Sequence, residues 1–190
     1  MIGHFFLTLW IGMNKTKEIY AHDTIEFATV AVRFCQTLEQ VRELSLRDFV
    51  GQMLKIVPLL YLKAQLLPFP ESEGDMLPAP QVSEEDYNYV LMGVKQLLGD
   101  ADEYLAVTDP EDLHTEDTKW QSVAEHLADA YQPVRNFLAV YQDGVEENMT
   151  DALWSLCEDF REYWGQAVVD ALRVLHRINL KLDNDEEAYD

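Results

Sequence analysis

Lys63, Trp164, Gln166, Arg173 and His176 are the residues of this chain whose types could together hold a small anion or a peptide terminus. Gln166, Asp170, Arg173 and Arg177 recur at three- and four-residue steps, so a helix would carry them on one polar flank, with Trp164 and His176 at its margins. Gly165 beside two aromatics suggests a close helix crossing, with Lys55, Tyr61 and Lys63 brought up by the partner helix. Cationic heads next to an indole make a polar-aromatic pocket. Ion pairs and ring packing that merely tie two helices together explain the same residues, and are the commoner outcome.

Other constellations are weaker. A carboxylate-bridged di-metal site in a helical bundle needs Glu-x-x-His on two helices. Glu111-Asp112-Leu113-His114 is the sole instance here, and it follows Pro110, where no helix fixes the spacing, so no metal is expected. Glu158 and Glu162, one turn apart, could work as paired carboxylates, but Glu158 with Arg161 equally makes a surface ion pair. Asp183, Asp185 and Glu186 lack the central Gly and closing Glu of a calcium loop. No ordered Ser/His/Asp set, glycine-rich phosphate loop or CxxC pair is present, and the five His are scattered, so neither a catalytic residue nor a cofactor is assigned.

Charge narrows the partners. The chain of 190 residues has a net charge of −21, and residues 64–134 hold sixteen acidic side chains against Lys95 and Lys119. Such a surface repels phosphate backbones and anionic lipid, which argues against direct contact with nucleic acid or membrane. It favours a basic protein, or a nucleic-acid-binding protein whose groove a DNA mimic would occupy. Cys35 and Cys157, each inside an apolar helical pattern, read as buried thiols in a reducing cytoplasm. Residues 1–13 begin MIGHFFLTLWIG, apolar but without a basic start or cleavage site. An upstream start ahead of Met13, a packed apolar arm and secretion all fit that stretch, the first best.

The elements that must position these residues are helical throughout. Apolar side chains recur at three- and four-residue steps in five segments: 23–44 from an N-cap at Asp23 or Thr24, 46–67, 84–105, a fourth beginning between Thr115 and Thr118, and 146–180. Ser45 with Asp48 and Ser83 with Asp86 resemble capping boxes. Pro58 and Pro133 fall inside the second and fourth helices and predict kinks. Leu105 is expected on the buried face of the third helix and Trp120 on that of the fourth, with a solvated loop between Asp100 and Asp117. Residues 68–82 hold four of the seven prolines and read as a linker, and Gly144 ends the fourth helix. No strand is expected. The fold class is all-α, a single helical bundle over 20–180 with an acidic tail at 181–190.

Leu54–Ala64 (LKIVPLLYLKA) and Trp164–His176 (WGQAVVDALRVLH), together with Asp129-Ala130-Tyr131, resemble the uncharacterised bacterial family called domain of unknown function 5063, typical of Bacteroides and its relatives. The resemblance spans about residues 20–178. It implies a small helical bacterial protein and brings no functional residue with it. The function expected is that of a non-enzymatic acidic interaction module. The alternatives are a small-molecule or peptide-terminus binder, or an enzyme, using the Lys63–Trp164–Gln166–Arg173–His176 surface, or a DNA mimic.

Overall fold

A computed structural model describes residues 18–70, 79–107 and 118–187. The segments matching the sequence periodicity are α1 (His22–Glu39), α2 (Leu46–Gln65), α3 (Glu84–Leu98), α4 (Val123–Asp143), α5 (Glu146–Asp159) and α6 (Gly165–Glu187). Helices α5 and α6 form one rod, interrupted by a π turn at Phe160–Trp164. The bundle of five long helices is therefore present, with one departure: a two-stranded antiparallel hairpin, β1 (Glu103–Val107) and β2 (Thr118–Ser122).

Local chemistry sets the boundaries. Ser45 accepts from the Asp48 amide at 3.1 Å to start α2, and Ser83 and Asp86 close a reciprocal capping box at the head of α3. Gly144, at φ 72°, ends α4 in the left-handed region that favours glycine. Helix α1 starts two to three residues earlier than those N-caps imply, with Ala21 as its N-cap. Thr24 is fully buried and its hydroxyl donates to the Glu18 carbonyl at 2.7 Å instead of capping. Both α2 and α4 continue through their prolines.

The core runs along the bundle axis. Phe27, Phe34 and Leu38 of α1 meet Phe49, Met53 and Leu60 of α2 and Leu127, Val134 and Phe137 of α4, all at most 1% exposed. Phe27 and Phe137 touch edge to face, with centroids 5.8 Å apart. Helix α6 packs against both α2 and α4, as its wide apolar stripe requires. It runs past the expected end at 180 to Glu187, and Arg47 holds Asp183 Oδ1 at 2.9 Å and the Leu182 carbonyl at 2.7 Å. The linker is pinned where it rejoins the body, because Asn136 Oδ1 accepts from both the Gln81 and Val82 amides at 2.8 Å.

The hairpin corrects three expectations. Helix α3 stops at Leu98 because Gly99 takes φ 54°, so Leu105 lies on a strand and is 54% exposed. Trp120 lies on the partner strand, 68% exposed, and α4 begins only at Val123. The stretch read as a solvated loop starts with a 3-10 turn, Gly99–Ala101, and Asp102 within it is fully buried.

Candidate functional site

Asp102 roots the hairpin. Its carboxylate accepts from the Ser122 hydroxyl and from the Ala124 amide, each at 2.7 Å, while its own carbonyl accepts from the Val123 amide at 3.1 Å. Ser122 in turn caps α4, accepting from the Glu125 amide at 3.1 Å. A buried carboxylate at a helix N-terminus is satisfied by amides with no intrahelical partner and by the positive end of the helix dipole. The two strands therefore leave the bundle from a single locked point.

The register Tyr104↔Gln121, Leu105↔Trp120 and Ala106↔Lys119 fixes two faces. The inner face carries Tyr104 and Gln121. The Tyr104 hydroxyl lies 2.8 Å from Gln121 Oε1 and 2.8 Å from His126 Nε2. A phenol has one proton to give, so when Gln121 accepts it, His126 must donate its Nε2–H to the phenol oxygen. Burial lowers the His126 pKa against the opposing pull of Asp170, Asp129, Glu125 and Asp102. Burial, with help from Asp170, raises that of Tyr104 against Arg173. Both shifts favour the neutral forms, and the chain Gln121–Tyr104–His126 fastens the hairpin to α4. From α6, the Arg173 guanidinium lies 5.6 Å from the Tyr104 ring centroid.

The outer face is apolar and open. Leu105 and Trp120 stand directly opposite one another at 54% and 68% exposure, with the carboxylates of Glu103, Asp100 and Glu125 also exposed nearby in sequence. A cross-strand Leu–Trp pair normally stabilises a sheet by covering apolar surface against the body. Here it faces outward, which is the usual property of a contact residue. A two-stranded sheet also leaves backbone donors and acceptors free along its edges.

The residues singled out from the sequence are dispersed. Trp164 is fully buried, and its indole N–H donates to the Leu156 carbonyl at 3.2 Å, so it is core and not the margin of a pocket. Lys63 reaches α1 and pairs with Glu26. Gln166 donates to Asp170 at 3.0 Å and lines a groove between α2 and α6. Arg173 serves the back of the hairpin and His176 is exposed. The Glu158–Arg161 surface pair is present at 3.6 Å. Glu111 and His114 lie outside the described residues. His22, Asp23 and Glu26 on the first turn of α1 are the cluster with metal-ligand spacing among the described residues, but His22 is exposed, the other two are half-buried and Glu26 already holds Lys63.

Sequence reasoning missed Asp102, Tyr104 and His126. The available signal was Gly99 followed by Tyr104-Leu105-Ala106-Val107, a short run that is as regular at two-residue as at helical spacing.

Comparison with known proteins agrees with this architecture. The profile of a family described as a domain of unknown function, DUF5063, matches residues 18–181. The crystal structure of protein BF1032 from Bacteroides fragilis superposes with a TM-score of 0.76 at 38% identity, covering 84% of this chain and 94% of that one. No curated protein matches. No helix among the described residues is long and apolar enough to cross a membrane.

Proposed function

This chain belongs to the family described as domain of unknown function DUF5063, so its role must be read from its own surface, and we propose that it is a non-enzymatic interaction protein. Its occupant is an extended basic segment of a partner protein, docked on the β1–β2 hairpin. The observation that carries this is the outward Leu105–Trp120 pair, 54% and 68% exposed, on a hairpin rooted by a buried carboxylate.

Charge selects the occupant. A body of net charge −21 repels a second copy of itself and attracts lysine- and arginine-rich chains. Main-chain pairing along an open strand edge supplies affinity, while Trp120 offers its ring to an aliphatic or cationic side chain. A cytoplasmic setting is part of the same reading, supported by two free, buried thiols, Cys35 and Cys157.

The test uses defined peptides of alternating lysine and valine, with glutamate–valine counterparts as controls, titrated by calorimetry. The basic peptide should bind. Its affinity should fall steeply as salt rises from 0.1 to 1 M, where the Debye length shrinks from about 10 Å to about 3 Å. Trp120→Ala should weaken it roughly thirtyfold, the loss expected of a central interface anchor. Equal binding of the acidic peptide, indifference to Trp120→Ala, or a dimer that buries the hairpin in sedimentation would each overturn the reading.

A further inference from the structure

We propose that the groove between the end of α2 and the π turn is a binding site for a small carboxylic acid with an apolar body. It is separate from the hairpin and independent of the reading given for it. The cavity encloses about 380 Å³. That is near the lower end of ligand pockets and suits one ring system or a short alkyl chain.

Its buried lining is apolar, from Ala64, Cys157 and Phe160, and its rim mixes polar and apolar side chains. Tyr61 and Phe160 form one wall, their centroids 5.3 Å apart, and Phe69 and Val169 stand at the rim, 38% and 41% exposed. The groove is reached through the Gln65 and Gln166 amides and the Arg161 guanidinium. Arg161 is already oriented, because its guanidinium sits 4.1 Å from the Phe69 ring centroid. Its pairing with Glu158 is loose, 3.6 Å with the arginine side chain 62% exposed. An ion pair of that kind contributes little, so a ligand carboxylate can share the guanidinium.

The π turn borders the groove, which Phe160, Arg161 and the following Gly165 help to line. A helix carrying i→i+5 bonds is costly to keep, and such turns occur frequently at functional sites. Here the Gly165 amide donates back to the Phe160 carbonyl, and a Cβ on Gly165 would lie 2.5 Å from that oxygen. Glycine at this position therefore keeps the turn and leaves backbone at the groove surface. The Gln166 and Gln65 amides already donate to Asp170 and to the Tyr61 hydroxyl, so in a protein of net charge −21 it is the Arg161 guanidinium at the rim that fits a single negative head attached to an apolar body.

Isothermal titration calorimetry with indole-3-acetate, phenylacetate and decanoate, each paired with its neutral amide, tests the site on the full chain. At least one acid should bind with Kd about 0.1–1 mM or tighter, the range a small ligand of this size reaches. Arg161→Gln should weaken the acid roughly tenfold or more and leave the amide unchanged. Val169→Trp, at an exposed position, should abolish binding while circular dichroism and the urea midpoint stay at wild-type values. Silence of every acid, equal affinity for acid and amide, or binding that survives Val169→Trp would overturn the assignment. Binding confined to a peptide ending in a free phenylalanine or leucine carboxylate would overturn it in favour of a chain terminus.

Discussion

Replacing Asp102 by alanine should cost this protein about 3–4 kcal/mol and should loosen the hairpin before the bundle. The carboxylate is fully buried and accepts two bonds at 2.7 Å, from the Ser122 hydroxyl and the Ala124 amide. Hydrogen bonds to a charged group contribute roughly 1.5–3 kcal/mol each, and a negative charge at a partly buried helix N-terminus adds up to about 2 kcal/mol. Burying the ion costs part of that sum, which brings the net effect below the simple total. With a urea slope of about 2 kcal/mol/M, the midpoint should drop by about 1.5–2 M. Asp102→Asn keeps one acceptor oxygen and should lose only about half as much. Urea unfolding followed by far-ultraviolet circular dichroism gives the global number. Amide exchange at Tyr104–Val107, compared with α1, shows whether the hairpin opens first. A loss below about 1 kcal/mol for alanine, or equal losses for asparagine and alanine, would refute the argument that the carboxylate's bonds hold the strands to α4.

Three further outcomes are expected. Gly93→Ala places a Cβ 2.6 Å from Val41 Cγ1 and 2.9 Å from Arg42 Nη1, so thermal unfolding should show a loss of roughly 1–3 kcal/mol from overpacking between α3 and the turn after α1. His126, held below its usual pKa by burial, favours the neutral fold. Stability should therefore be intact above pH about 6.5 and decline as pH falls from there toward the folded-state pKa, a slope that His126→Gln should remove from pH-dependent urea curves. Burial pushes the Cys35 thiol well above its usual range, so Cys35 should react with an aromatic disulfide reagent at pH 8 only as fast as the protein opens, and quickly in urea.

The helices were legible because their apolar spacing is long and redundant. Phe27, Phe34 and Leu38, or Met53, Val57 and Leu60, leave no other phase in which an inward face exists. The hairpin was not legible, because Leu98, Ala101 and Leu105 continue a helical phase by coincidence, as do Trp120, Val123 and Leu127. Five-residue strands offer too few positions for a two-residue period to compete, and only the positive φ of Gly99 breaks the pattern. The site suffered most. Gln166, Arg173 and His176 were placed correctly on one helix, but the partners that decide their chemistry come from elements far away in the chain. Trp164 falls on the helical period of the core stripe, and its full burial follows from that phase.

The π turn also has a geometric consequence for the last rod. An α-helix advances about 100° per residue, whereas a wider turn advances less, so the stretch Phe160–Trp164 winds the oily stripe backward around the cylinder. Above it the rod leans on α4, and below it on α2 and α4 together. The extra residue thus works as a phase shifter: excising it would leave a smoother cylinder whose lower half points its leucines and valines at the wrong neighbour.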